Sequence, residues 1–485
     1  MPSGDATDCN PIQPTRREFF GRFGAGLGSV VLAEMLSRDG MLLTPANADD
    51  ARAVPTWRIP EKANRIVHFF MSGGPSHLDT FDPKPELAKF EGKTYTGDVK
   101  QIGTLGRRVG RLTPSPLKFQ KHGKSGLEIS ELFPQLATHA DDLCVIRSMF
   151  TDSSAHGSAC LELNTGSTRI GNPSMGAWSN LGLGNLNENL PPFVVMLDPR
   201  GGPNSGASNW GSGFLSPEHQ GLIFREQSPP LRDLSNPLGV SDESQRRVID
   251  LINDLNHQHE SLIGANRELE ARIKSYELAF RLQHSAIESV GIDQESDAVK
   301  SRYGIGKSPT NTFGRQCLLA RRLLERGVRY IQIYSGAAGL EDSWDGHSDC
   351  ASNHRTRASE TDLPIAAFLQ DLKDRGLWKD TVIVWGGEFG RTPTSDPLGK
   401  GGRDHNRYGF SMWLAGGCIK GGQAIGKTDE IGLASVDQRH HVGDLHSTLL
   451  AAIGLDAYKL FRQDPRRPSP GSERHSQVIR GVFNG

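Results

Sequence analysis

No apolar run in this chain approaches the roughly 20 residues needed to span a bilayer, which excludes a polytopic membrane protein. There is no Cys-x-x-Cys pair, and no Gly-x-Gly-x-x-Gly loop follows a strand. A zinc ribbon is therefore excluded, and a dinucleotide-dependent oxidoreductase is disfavoured. The six cysteines (Cys9, Cys144, Cys160, Cys317, Cys350, Cys418) have no regular spacing, so they give no disulfide framework and read as buried thiols. A net charge of −1 leaves no electrostatic footprint for a nucleic-acid partner or an anionic membrane surface. Aromatics are only 7%, whereas glycine occupies 56 of 485 positions. That is a loop-rich globular composition, long enough for one large α/β domain or two to three smaller ones.

What is present begins with an address. Arg16 and Arg17, followed by Phe19 and Phe20, precede a weakly apolar run at 24–33, and Ala46-Asn47-Ala48 offers a small-x-small site. Charged, apolar and small segments in that order form a secretory signal, and the paired arginines specify the twin-arginine route. The expectation is a signal peptide over 1–48, read by the twin-arginine translocase, and a folded domain over 49–485 with no membrane span. Its destination is the periplasm or cell envelope. Glu34 and Arg38 shorten the apolar run, so an uncleaved anchor stays open. Because that route exports folded protein, a metal can be loaded before export.

Downstream, short apolar strands alternate with helical patterns. Strands are expected at 66–71, 143–146, 192–197, 328–334, 381–385 and 410–415, and helices at 129–140, 315–326, 363–375 and 442–453. A Gly/Pro/Ser-rich stretch over 201–237 reads as a surface loop. From 242 to 289 apolar residues recur at helical spacing, which predicts an inserted pair of antiparallel helices, with a coiled-coil dimer as the alternative. The fold class is α/β: a mainly parallel sheet covered by helices on both faces.

Metal-competent residues gather in four loops after predicted strands: His77 and Asp79; Asp152 and His156; Asp345, His347, Asp349 and His354; Glu388 with Asp404 and His405. Parallel strands end along one edge, where α/β folds place ligands. Each residue has a plain structural reading, since Asp and Gly favour turns and Asp79 suits a helix start. The joint pattern across four loops is what points to a metal. Mixed His and carboxylate donors suit zinc, iron or manganese, and all-oxygen sets suit magnesium or calcium.

Three segments resemble the alkaline phosphatase and sulfatase superfamily. Residues 381–390 are similar to the sulfatase strand that ends in Ser-Asp-His-Gly. Residues 442–455 resemble its late helix, and Asn164-Thr165-Gly166 the end of its nucleophile helix. Adding Gly73-Gly74-Pro75-Ser76, Trp344-Asp345-Gly346-His347 and Glu388-Phe389-Gly390-Arg391-Thr392-Pro393, the chain resembles the sulfatase-like family catalogued as domain of unknown function 1501. The resemblance runs over 66–483. It implies an alkaline-phosphatase-like fold and a hydrolase acting on phosphate or sulfate esters, of small molecules or polysaccharides.

Departures from the pattern shape the expected site. Counting back nine residues from Thr165 to the superfamily's nucleophile position gives His156, while the run Thr151-Asp152-Ser153-Ser154-Ala155 selects Ser153 instead. Glu388 and Phe389 stand where the superfamily has an Asp-His metal pair. The resemblance thus implies one divalent ion, held by Asp345, His347 and His405, with Glu388 as a fourth ligand or a base just behind the ligands and Asp79 as a further ligand. His156 is then a nucleophile, a general acid/base or an added ligand, expected to face the metal across the substrate, and Arg391 an anion-holding fork. The rival reading is a catalytically inactive metal-, carbohydrate- or envelope-binding protein on the same fold, favoured by the missing nucleophile.

Overall fold

The computed structural model describes residues 56–97, 110–227, 239–263, 291–339, 342–396, 401–462 and 476–484, with isolated positions between 230 and 282. The expected signal peptide, with Arg16 and Arg17, lies outside the described residues.

The strands are β1 (Arg65–Met71), β2 (Cys144–Phe150), β3 (Phe193–Met196), β4 (Leu222–Phe224), β5 (Tyr330–Ser335), β6 (Thr381–Gly386), β7 (Gly390–Ser395), β8 (Arg403–Asn406), β9 (Phe410–Gly416), β10 (Gln423–Ile425) and β11 (His440–His441). The helices used below are α1 (His156–Thr165), α2 (Met175–Leu183), α3 (Asp242–Ile263), α4 (Asn311–Glu325), α5 (Cys350–Asp374) and α6 (Val442–Ala452). A short hairpin, 119–122 with 127–130, precedes β2.

Among the described residues the main sheet runs β10-β2-β9-β6-β1-β5-β3-β4, with β11 beside β2. Every pairing in it is parallel except the two made by β9. Side chains alternate across a strand, and β1 shows the consequence. Val67, Phe69 and Met71 join the core that includes Leu319, Phe368 and Leu369 of α4 and α5. Ile66 and Phe70 join the opposite core, with Cys160 of α1, Trp178 of α2 and Leu449 of α6. Both faces are covered, as a buried parallel sheet requires.

The site depends on the reversal of β9. After β6 the chain forms the antiparallel hairpin β7–β8, in which His405 pairs opposite Arg391. This hairpin keeps the chain at the carboxyl edge, so β9 begins there and runs back. Asp404 and His405 thus reach the same edge as the other site loops, in front of a reversed strand.

Several local expectations change. Residues 129–140 are the end of a strand and a 3-10 helix (Leu136–Asp142) instead of an α-helix. The 201–237 stretch contains β4 and a buried Trp210, so it is packed structure as well as loop. Helix α5 starts thirteen residues before the expected 363, because its first half is polar. Of the inserted helical pair, α3 is described. Arg246 and Asn253 both reach Glu277, at 3.3 and 2.7 Å, so the chain doubles back along α3. Among the described residues no helix is long and apolar enough to cross a membrane.

Candidate metal centre

The centre is built where β1, β2, β5 and β6 end. The turn after β1 passes so close to the 343–345 segment that a Cβ on Gly73 would sit 2.6 Å from the Asp345 backbone nitrogen, and one on Gly74 would lie 2.6 Å from the Phe389 ring. Both glycines have positive φ, +106° and +71°. Glycine is the residue that tolerates such a turn and such an approach.

Three imidazoles converge on Asp345. His347 Nδ1 lies 2.5 Å from Asp396 Oδ2, His156 Nδ1 lies 2.6 Å from Glu388 Oε1, and His405 Nδ1 lies 2.7 Å from the Ser154 carbonyl. Carboxylates and carbonyls only accept, so each Nδ1 carries its proton. In the neutral rings the lone pairs are therefore on Nε2. Those atoms face Asp345 at 3.0 Å (His347), 3.3 Å (His405) and 3.3 Å (His156). His347 Nε2 and His405 Nε2 are 2.8 Å apart. Two lone pairs at that distance repel unless a proton or a cation lies between them. His156 Nε2 is buried and has no hydrogen-bond partner.

Electrostatics points the same way. Asp345, Glu388, Asp396 and Asp404 bring four carboxylates to the imidazoles, against the one guanidinium of Arg391. Burial works against ionisation of Asp345, but Arg391 and the three histidines outweigh it and hold its carboxyl well below the usual range. Burial likewise disfavours an imidazolium at His156, yet Asp345 and Glu388 raise its pKa to about 9. For His405 burial prevails, and its pKa falls to about 4. A divalent cation fits once His156 gives up its second proton: the Nε2 atoms, the carboxylates of Asp345 and Asp404, and outer N–H groups fixed by acceptors in the manner of metal-bound histidines. The side chains are 8–15% exposed, so the cluster touches solvent.

The structure brings together Asp345, His347, His405 and His156, and departs from the other expectations. Glu388 is wholly buried; it holds His156 and accepts the Gly73 N–H at 2.9 Å, so it orients a histidine. Asp79 is paired with Arg403 at 2.8 Å and Ser76 at 2.5 Å, outside the cluster. Arg391 is fully buried, donating to the carbonyls of Gly73, Gly74 and Arg403 and to Asp345. It braces the centre and has no free edge for a substrate anion. The Ser153 hydroxyl accepts the Ala155 N–H at 3.1 Å, a local turn contact, while the neighbouring Ser154 carbonyl serves the site. His156 lies against Asp345, which leaves no substrate space between it and the cluster. Asp349 caps α5 through the Ser352 N–H, and His354 accepts the Ser76 N–H.

Sequence reasoning missed Asp396 and the Ser154 carbonyl. Asp396 had one signal: an acidic residue directly after a short run, 390–395, in a segment otherwise rich in site candidates.

A second cluster joins Asp152, Glu162 and His441. Here His441 Nδ1 accepts the Gly443 N–H at 3.1 Å, capping α6. The ring proton is then on Nε2, 3.0 Å from Glu162 Oε1. Glu162 also accepts from the Thr151 hydroxyl at 2.6 Å and the Asp152 N–H at 3.1 Å. This cluster staples the 151–155 loop to α1 and α6.

A family model described as protein of unknown function (DUF1501) matches residues 63–483. The chain belongs to that family. Among curated proteins no match is found. Members of the alkaline phosphatase and sulfatase superfamily stand among its structural neighbours. One is the lipoteichoic acid synthase LtaP from Listeria monocytogenes, at 12% identity over 89% of this chain and 78% of that one, with a TM-score of 0.34. Another is a protein in the alkaline phosphatase superfamily from Vibrio parahaemolyticus, at 12% identity over 88% and 75%, TM-score 0.34. A third is the PsFucS1 sulfatase from Pseudoalteromonas sp., at 14% identity over 84% and 69%, TM-score 0.34.

Proposed function

We propose that this member of the DUF1501 family is an exported, metal-dependent hydrolase-like protein acting on phosphate or sulfate esters, with one divalent ion held by Asp345, His347, His405 and His156. The observation that carries the reading is the set of three imidazoles whose outer N–H groups are anchored and whose Nε2 atoms face one carboxylate. The mixed donor set suits zinc, iron or manganese better than calcium or magnesium. Such an ion supplies Lewis acidity toward an ester oxygen at neutral pH.

The chain's own residues do the positioning. Asp396 and Glu388 fix the ring tautomers and orientations of His347 and His156. Arg391 holds Asp345 ionised and tied to the Gly73–Gly74 turn. His156 opens α1, so backbone N–H groups of its first turn border the cluster and favour an anionic group there. The motif likeness to sulfatases at 381–390, 442–455 and 164–166 supports an ester of phosphate or sulfate. Export rests on Arg16 and Arg17 ahead of the 24–33 run.

A second reading has its own support. Arg391 is spent internally, and position 156 has no hydroxyl or thiol, which favours a metal-dependent binding protein for carbohydrate or envelope polymer. Elemental analysis of protein purified through the twin-arginine route, followed by an ester panel, separates the readings. One ion per chain with turnover of an ester supports the hydrolase; one ion with no turnover and retained polysaccharide binding supports the binder. Failure to take up any divalent ion overturns both.

A further inference from the structure

We propose that a second copy of this chain docks on helix α3, forming an antiparallel helix pair about a twofold axis. One face of α3 is already committed. Ile249 is buried, Arg246 and Asn253 reach Glu277, and the Arg246 guanidinium lies 5.3 Å over the Phe280 ring. The opposite face carries Val248, Leu251 and Leu255, which are 54%, 58% and 54% exposed. Their spacing, i, i+3 and i+7, is the seam of a two-helix coiled coil. Among the described residues nothing covers this stripe. Three adjacent large apolar side chains left more than half in water mark an interaction surface.

Charge selects the occupant. Arg247 and Asp254 flank the stripe, both exposed and seven residues apart. An antiparallel pairing that sets Val248 against Leu251 of the second copy, and Leu251 against its Val248, brings each Arg247 alongside the other copy's Asp254. The two central layers pair Val248 with Leu251 and the flanks pair Arg247 with Asp254, with Leu255 opposite Ser244, so the apolar centre and the charges match as an isologous twofold contact requires. A parallel pairing sets Arg247 beside Ile252 and Asp254 beside His259, with no Arg–Asp contact. At 22 residues α3 is roughly 33 Å long. A single helix pair of that length falls at the small end of specific interfaces, so the dimer is concentration-dependent, with a Kd in roughly the micromolar range.

Sedimentation equilibrium of the full chain at increasing concentration tests this. Wild type is expected to pass from monomer to dimer, and Leu251→Glu to remain monomeric with an unchanged Tm, since its side chain is exposed. Arg247→Glu and Asp254→Arg are each expected to weaken the dimer roughly tenfold, and the double variant to recover it. A wild type that stays monomeric into the hundreds of micromolar (about 100-fold above the expected Kd) overturns the proposal. So does a dimer untouched by Leu251→Glu, and a double variant no tighter than the single ones overturns the antiparallel register.

Discussion

The Asp345 and Glu162 clusters contain the same kinds of side chain, histidine beside buried carboxylate, on neighbouring loops at one sheet edge. They differ in which way the rings are held. In the first, each Nδ1–H is anchored outward, to Asp396, Glu388 or the Ser154 carbonyl, and the Nε2 lone pairs point inward. In the second, His441 Nδ1 accepts a helix N–H, so the ring proton is on Nε2, which faces Glu162 at 3.0 Å. In the first cluster two Nε2 atoms 2.8 Å apart need a proton or a cation between them; in the second the inward Nε2 faces a carboxylate. Ligand-like composition is common to both clusters; the ring nitrogen that carries the proton of the neutral imidazole is what differs.

The sharpest way to break this comparison is to remove one histidine from each cluster. His405→Ala is expected to lower bound zinc, measured by elemental analysis after loading, from one ion per chain to none. His441→Ala is expected to leave the stoichiometry unchanged. An ion lost with His441 would show that the network reading of the second cluster is wrong.

Arg391 gives the next largest effect. Deleting a buried partner leaves its carboxylate and carbonyls uncompensated, which costs about 3–5 kcal/mol. Arg391→Ala should accordingly lower denaturant stability by that amount. Had Arg391 been a substrate-anion fork, stability would hold and KM for an ester would rise instead.

How much of this was legible beforehand depends on what each feature rests on. Strands β1, β2, β5 and β6 were readable because a buried strand is a short apolar run bounded by turns, and the loops that follow them carried Asp345, His347 and His156 in plain view. The direction of β9 was not readable, since its residues are the same whichever way it runs; the β7–β8 hairpin decides it. The first half of α5 was hidden because its buried faces are polar: His354 and Asp362 find partners from other segments, and Arg357 pairs with Glu360 on the same helix. Arg391 and Asp79 were misplaced for one reason: a charged residue in a site loop reads as exposed until the fold supplies its buried partner. Asp396 becomes visible only once it is seen beside His347 across the loop after β7.

Asp396 also sharpens the comparison. Loss of the carboxylate that fixes a ligand's tautomer typically weakens metal affinity about 10–100-fold. Asp396→Asn should do so by calorimetric titration with zinc, and Glu162→Gln, at the corresponding place in the other cluster, should leave affinity unchanged. Equal losses from both substitutions would mean that the two clusters are coupled or equivalent.

The smallest effect separates the clusters by pH. Burial pushes the Glu162 carboxyl upward, but His441, the Thr151 hydroxyl and the Asp152 N–H outweigh burial and bring its pKa below the ordinary value. A carboxylate whose folded pKa is lowered binds fewer protons than its unfolded form. Its stabilisation is therefore full above the unfolded value, roughly 4.3, and is lost as pH falls through the lower folded one. Glu162→Gln keeps the shape while removing the charge, and should cost about 1–2 kcal/mol at neutral pH. The same substitution should flatten the acid side of the stability curve, because the amide has no proton to take up. Urea unfolding of both proteins from neutral pH to roughly pH 3 measures it. An unchanged acid slope in the variant would show that Glu162 is not held as a charged acceptor, and would remove the physical difference on which the contrast between the two clusters depends.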